Sequence, residues 1–85
     1  MTSNFREKIY NLISEQLGVE KEKITPESYF AADLNAGDLE MEELIGKIQE
    51  KFEVELDPVK VEEIETVDDL VHLVFDKLDG LLEEE

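Results

Sequence analysis

The sequence has 85 residues, which is enough for one small domain and leaves no room for a second hydrophobic core. Eight basic and 24 acidic residues give a net charge of −16, and cysteine is absent. This charge disfavours nucleic acid and anionic membranes as partners and favours proteins with basic patches. Without cysteines there are no disulfides and no thiol chemistry, which fits a cytoplasmic protein. We expect a monomer that binds neither nucleic acid nor membranes.

The first apolar residues recur in steps of three and four, which predicts an amphipathic helix over about residues 4–17. Its apolar stripe consists of Phe5, Ile9, Leu12, Ile13 and Leu17. Ser3 or Asn4 can cap its start, and Gly18 favours a left-handed end.

A long connection follows, from residue 19 to residue 37. Thr25 precedes Pro26, which disfavours helical geometry at that point. Ile24, Phe30 and Leu34 occur at intervals along it. We therefore predict a loop that packs onto the core through these three side chains, since a structureless loop of this length is uncommon in a compact domain.

A second helix is predicted from Asp38 to Phe52, with Asp38 as its N-cap. Its apolar stripe consists of Met41, Leu44, Ile45, Ile48 and Phe52. Glutamates crowd its first turns, where the positive end of the helix dipole favours them.

Asp57-Pro58 predicts the start of a short helical turn that runs through Ile64. Thr66 and Asp69 have the spacing of a capping box at the start of a last helix. That helix is predicted to run to about Leu78 and to bury Val67, Leu70, Val71, Val74 and Leu78. Gly80 is predicted to end it, which leaves residues 81–85 as a flexible acidic tail of a single domain.

The elements together predict an all-α fold with three long helices, a short third helix and a long first loop. No alternating pattern long enough for a β-strand is present.

Several segments in this order resemble those of acyl carrier proteins across about residues 5–79. The matching segments are Ile13–Val19, Thr25–Phe30, Asp33-Leu34, Glu43-Leu44, Glu50–Phe52 and Ile64–Leu70. The resemblance implies a four-helix bundle, a place in fatty acid biosynthesis or a related pathway, and a carrier rather than an enzyme.

Acyl carrier proteins hold 4′-phosphopantetheine on the serine of an Asp-Ser-Leu motif, which here reads Gly37-Asp38-Leu39. The resemblance therefore places Asp38 where the modified serine would stand. A carboxylate there forms at best a mixed anhydride, which water cleaves, so we predict that Asp38 is not modified and that no cofactor is held. The other serines, Ser3, Ser14 and Ser28, lie in the first helix or the long loop. They are away from the start of the second helix, so we do not expect any of them to replace the missing attachment serine.

The resemblance also implies a docking surface for partner proteins on the second helix. The corresponding residues are Leu39, Glu40, Met41, Glu42, Glu43, Gly46, Glu50 and Leu56. Our leading hypothesis is an acidic protein-interaction module that lacks the attachment serine.

Two alternatives remain open. One is an acyl carrier protein of fatty acid or related biosynthesis that is unusual or mutated at Asp38. The other is a noncovalent lipid binder, for which the candidate lining residues are Leu44, Ile48, Leu56, Val61 and Ile64.

The sequence offers no catalytic or metal site. A calcium loop counted from Asp33 places Asp38 and Leu44 where glycine and glutamate are needed. His72, the single histidine, lies off the apolar stripe of the last helix and is expected on the surface. No glycine-rich phosphate loop or nucleophile–base pair is present.

Overall fold

The computed structural model describes residues 2–82, with the side chains of residues 5–78. The four α-helices are α1 (Thr2–Leu17), α2 (Asp38–Phe52), α3 (Pro58–Glu62) and α4 (Val67–Leu82), and a 3-10 helix spans Lys21–Lys23. Over the described residues the only β pairing is an isolated antiparallel bridge between Tyr29 and Thr66. The predicted all-α architecture, with its short third helix and long first loop, is confirmed.

One hydrophobic core holds the helices together, because each long helix turns its apolar stripe inward. Ile9 and Ile13 of α1, Leu44 and Ile48 of α2, and Leu70 of α4 are fully buried. The 3.6-residue spacing in the sequence predicted all five. Within residues 2–82, no helix is long and apolar enough to cross a membrane.

The long loop between α1 and α2 is part of this core. Ile24, Phe30 and Leu34 are buried, as their spacing predicted. The loop is also tied to the start of α4 by backbone hydrogen bonds. Phe30 N–H donates to the Glu65 carbonyl at 3.0 Å, and Val67 N–H donates to the Ser28 carbonyl at 3.0 Å. The segment before α2 is therefore anchored at both its side chains and its backbone.

Local capping fixes several helix ends where the sequence predicted them. Gly18 adopts the left-handed conformation (φ +69°) that ends α1. Thr66 Oγ1 accepts a hydrogen bond from Asp69 N–H at 3.2 Å, and Asp69 Oδ2 accepts one from Thr66 N–H at 3.1 Å. This reciprocal pair is the predicted capping box of α4. The Asp57 side chain caps α3 by accepting from Val59 N–H at 3.0 Å.

Three predicted helix ends are wrong, and one of them is the end of α3, which lies at Glu62 and not at Ile64. Helix α1 begins at Thr2, so Ser3 and Asn4 lie inside it and do not cap it. Helix α4 continues through Gly80 to Leu82, because one glycine inside a helix costs only about 1 kcal/mol and need not end it. Residues 83–85 of the predicted tail lie outside the described residues.

Candidate functional site

The start of α2 is formed by a glycine cap. Gly37 has an extended backbone (φ −85°, ψ −177°), and its carbonyl accepts the first helical hydrogen bond, from Met41 N–H at 2.9 Å. Glu40 Oε1 accepts a hydrogen bond from Gly37 N–H at 3.1 Å. This contact is one of the two hydrogen bonds of a capping box. The other would run from Glu40 N–H to a side chain at residue 37, and glycine has no side chain to accept it.

Asp38 is the first helical residue of α2 and not its N-cap, which corrects the prediction from the sequence. A side chain caps a helix only when its own backbone lies outside helical geometry, and here that residue is Gly37. The exposed carboxylate of Asp38 instead adds negative charge at the positive end of the helix dipole, a contribution of about 0.3–1 kcal/mol.

Aliphatic hydroxyl groups are absent from the chain around the start of α2. No serine or threonine occurs from residue 29 to residue 65. On either side of that stretch, Ser28 is buried with its Oγ 3.0 Å from Thr25 Oγ1, and Thr66 caps α4. Ser14 donates to the Val19 carbonyl at 2.6 Å. These hydroxyls hold the loop and the helix ends together.

Most of the predicted docking residues lie on one exposed surface of α2. The exposed members are Leu39, Glu40, Glu42, Glu43, Gly46 and Glu50. Met41 is half-buried. Leu56 is only 6 % exposed and packs into the core, so the exposed surface of α2 does not include it, and its role in docking stays a prediction. Its backbone N–H donates to Gln49 Oε1 at 2.8 Å, which turns the segment after α2 back against the helix.

The carboxylates of α2 have no ion-pair partners among the side chains of residues 5–78. The one ion pair and the one histidine–carboxylate contact in that part of the chain lie elsewhere. Lys21 Nζ is 3.0 Å from Glu7 Oε1, and His72 Nε2 is 3.5 Å from Asp68 Oδ1 on the exposed side of α4. Basic side chains among residues 5–78 therefore do not neutralise the acidic surface of α2.

An open groove of about 750 Å³ lies between α2 and the α3 region. Its apolar lining includes Met41, Ile45, Leu56, Val61 and Ile64, and its acidic residues are Asp38, Glu42 and Glu62. Of the side chains predicted to line a lipid site, Leu56, Val61 and Ile64 lie in this groove. Leu44 and Ile48 are fully buried in the core and do not line it.

A smaller depression of about 370 Å³ lies beside the groove, against the end of the long loop. Tyr29 and Phe30 contribute to its lining. Asp38, Met41 and Ile64 line both hollows. In the described part of the chain, no group of three His, Cys, Asp or Glu side chains has a geometry that could hold a metal ion.

The bundle, its long loop and the exposed start of α2 beside an apolar groove define the acyl-carrier class of helical domains that the resemblance implied. Residues 7–74 match the family model described as phosphopantetheine attachment site, and the chain belongs to that family. An acyl carrier protein from Thermosynechococcus vestitus is 38% identical over 76 residues, which cover 89% of this chain and 94% of the relative.

Among solved structures, the acyl carrier protein of Thermotoga maritima superposes with a TM-score of 0.78 and 22% identity. The match covers 91% of this chain and 94% of the other, and it supports the fold. Together the comparisons agree better with the acyl-carrier alternative than with a pure interaction module. The family holds its cofactor covalently, and the role of Asp38 stays a prediction from the residues.

Proposed function

We propose that this acyl-carrier-protein homologue acts as an acidic docking module that carries no phosphopantetheine at Asp38. The observation that carries the proposal is the carboxylate at the first position of α2, in a stretch with no serine or threonine from residue 29 to residue 65. Attachment requires a hydroxyl oxygen that attacks the pyrophosphate of coenzyme A and forms a stable phosphodiester. The residues present do not fit that group.

The surface of α2 supplies the other half of the proposal. Glu42, Glu43 and Glu50 are exposed and unpaired within the described side chains, on a chain with a net charge of −16. A field of this sign speeds association with basic surfaces and rejects acidic ones. Leu39, which is 64% exposed, adds an apolar contact at the start of the same helix. This combination favours a basic protein as partner, and a monomeric, cytoplasmic domain is part of the same proposal.

The docking surface is tested by charge reversal. Crosslinking in the host organism should capture a partner with the wild-type chain and lose it when Glu42, Glu43 and Glu50 are changed to lysine. The matched control changes Glu20, Glu22 and Glu27, which are exposed in the long loop, to lysine. Both variants shift the net charge equally, so loss of the partner in both would mean that the total charge matters and that α2 is not the docking surface.

The second candidate is a true acyl carrier protein, which the family match favours because it spans the start of α2. Incubation with a phosphopantetheinyl transferase and coenzyme A, followed by intact-mass measurement, separates the two candidates. The Asp38→Ser variant is the positive control, because it restores the hydroxyl at the same helix position. Loading of Asp38→Ser alone supports the docking module, whereas loading of the wild-type chain establishes the carrier.

A further inference from the structure

The start of α4 and the long loop are joined by a series of hydrogen bonds that begins at the Asp69 carboxylate. Asp69 Oδ2 accepts from Thr66 N–H at 3.1 Å, in addition to Glu65 N–H at 3.0 Å. The Glu65 carbonyl, which belongs to the same peptide unit as Thr66 N–H, accepts from Phe30 N–H at 3.0 Å. One peptide unit therefore links the carboxylate of α4 to the backbone of the loop.

The series continues through the loop to the residue before the cap of α2. The Tyr29 carbonyl shares a peptide unit with Phe30 N–H, and it accepts from two further backbone N–H groups of the loop, at 2.9 and 3.1 Å. The Phe30 carbonyl accepts from Ala36 N–H at 2.8 Å. Ala36 is bonded directly to Gly37, the N-cap of α2. Three hydrogen bonds in series therefore lead from the carboxylate of α4 to the residue before this cap.

The direction of these hydrogen bonds favours mutual strengthening. In each of them the acceptor lies on the Asp69 side and the donor lies on the loop side. Hydrogen bonds arranged in this way polarise one another, so a negative charge at one end also strengthens those farther along. A hydrogen bond to an ionised acceptor is itself about twice as strong as one between neutral groups. Removal of this carboxylate should therefore be felt along the whole series.

The turn at the far end of the series needs this support. Asn35 has φ +60°, a left-handed conformation that is uncommon for residues other than glycine. Leu34 and Ala36 on either side of it are buried, and their N–H groups donate to the carbonyls of Tyr29 and Phe30. A backbone in a sparsely populated conformation persists only where its surroundings fix it. The geometry of the turn before α2 therefore depends on where the loop holds these two carbonyls.

We infer that Asp69 is a positioning residue for Asp38, and that it acts through the long loop to fix where the start of α2 presents that side chain. Phe30, Glu65 and Asp38 border one depression of about 370 Å³, so the series of hydrogen bonds ends beside the residue that it positions. The inference goes beyond the proposed function and does not rest on it. A docking carboxylate and an attachment site both need residue 38 in a fixed place, so the two proposals can fail separately.

The test is amide hydrogen exchange of the full-length chain labelled with ¹⁵N. Ile48, which is fully buried in α2, supplies the reference rate. In Asp69→Ala, exchange at the Phe30 and Ala36 amides should become about threefold to tenfold faster relative to this reference, the effect of one weakened hydrogen bond. The ratio removes any general loss of stability, because global unfolding exposes all amides alike. The amide signal of Asp38 should shift in the same variant.

Three further variants separate positioning from charge and from stability. Asp69→Asn keeps an acceptor oxygen without the charge, so it should show the same pattern at a smaller size. Asp68→Asn removes the same charge from the next position, whose carboxylate contacts His72 and takes no part in the series. Thr66→Ala removes the hydroxyl that caps α4 and keeps the Thr66 N–H that donates to Asp69. Asp68→Asn and Thr66→Ala should leave both exchange ratios unchanged.

Each other outcome overturns the inference. Unchanged exchange ratios in Asp69→Asn do so whether or not Asp69→Ala folds. Equal changes in Asp68→Asn would show that any charge at the start of α4 has the same effect. Faster exchange at Phe30, Ala36 and Ile48 by one common factor would show that the carboxylate only stabilises the fold. Faster exchange at Phe30 alone would show that its effect stops in the loop and does not reach α2.

Discussion

Glu40 Oε1 accepts a hydrogen bond from the backbone N–H of Gly37 at 3.1 Å, and this contact holds the start of α2. Asp38 lies between the two residues and takes no part in the cap. The helix start and the chemistry of residue 38 are therefore separable. A substitution at Asp38 changes the functional group offered to solvent and leaves the hydrogen bond that positions it.

Asp38→Ser is expected to lower the free energy of unfolding by less than about 1 kcal/mol, since only the favourable placement of a carboxylate at the helix N-terminus is lost. Glu40→Ala removes the acceptor for Gly37 N–H and should cost about 0.5–1.5 kcal/mol. Urea unfolding followed by circular dichroism measures both. Glu40→Gln keeps an acceptor oxygen and is the matched control. A larger loss in Asp38→Ser than in Glu40→Ala would show that Asp38 does cap α2.

The capping box of α4 predicts a pH dependence at Asp69. Hydrogen bonds from the backbone N–H groups of Glu65, the larger influence, and of Thr66 lower the pKa of the Asp69 carboxyl from its ordinary value of 3.8. A pKa lowered by folding gives stability that is fully present above the ordinary value. This stability is lost as the pH falls through the lowered value.

Asp69→Asn should therefore be less stable than the wild-type chain near pH 7, and the difference should shrink as the pH falls below the ordinary carboxyl range of about 4. Urea unfolding at a series of pH values measures the difference. Thr66→Ala is the control, because it removes the other half of the cap, about 1 kcal/mol, without removing a titrating group. A difference that stays constant down to low pH would contradict the role of the Asp69 charge.

Sequence patterns predicted the features of this fold that depend on near neighbours. The helical spacing of apolar residues identified the buried sides of α1, α2 and α4. Thr66 and Asp69 are three residues apart, so their mutual cap could be recognised from type and spacing alone. Phe30 could be assigned to the core because a long loop with apolar residues at intervals is expected to pack those side chains onto the helices.

Features set by distant residues could not be predicted. The bridge between Tyr29 and Thr66 joins positions far apart in the chain, and no local signal marks it. The burial of Leu56 could not be predicted either, because it depends on how the segment after α2 folds back against the helix, where the Leu56 N–H donates to Gln49 Oε1. The cap of α2 was missed by one residue, because both aspartate and glycine occur at N-caps and the choice depends on which backbone leaves helical geometry.

The long loop should behave as a core element when its anchor is removed. Phe30→Ala is expected to lower the free energy of unfolding by about 3–5 kcal/mol, since Phe30 is 3% exposed and its removal leaves a cavity. Denaturant unfolding measures the loss. Ala32→Ser, an exposed position in the same loop, should change stability by no more than about 0.5 kcal/mol. A loss below about 1 kcal/mol in Phe30→Ala would mean that the loop packs too loosely to hold the site.

Two glycines with equal space around them should respond in opposite directions. A Cβ atom meets nothing within 4 Å at Gly18 or at Gly46. Gly46 lies inside α2, so Gly46→Ala should raise the free energy of unfolding by about 0.5–1 kcal/mol. Gly18 has φ +69°, so Gly18→Ala should lower it by about 1–2 kcal/mol. Thermal and urea unfolding of both variants check the signs, and destabilisation by Gly46→Ala would contradict the gain expected from helix propensity.

The high negative charge should make stability depend on salt. With a net charge of −16, repulsion among carboxylates opposes the folded state, and salt screens it as the Debye length falls from about 30 Å at 0.01 M to about 10 Å at 0.1 M. If this screening relieves ~1 kcal/mol, the melting temperature should rise by about 4–8 °C. Calorimetry in sodium chloride and potassium chloride at equal ionic strength measures the rise and separates screening from binding of a particular ion.

Changing Glu42, Glu43 and Glu50 to lysine reduces the net charge to −16 + 6 = −10 and should make the melting temperature less sensitive to salt. A flat response in the wild-type chain would mean that its carboxylates are already compensated in the folded state, and the attraction proposed for basic partners would then lack its source.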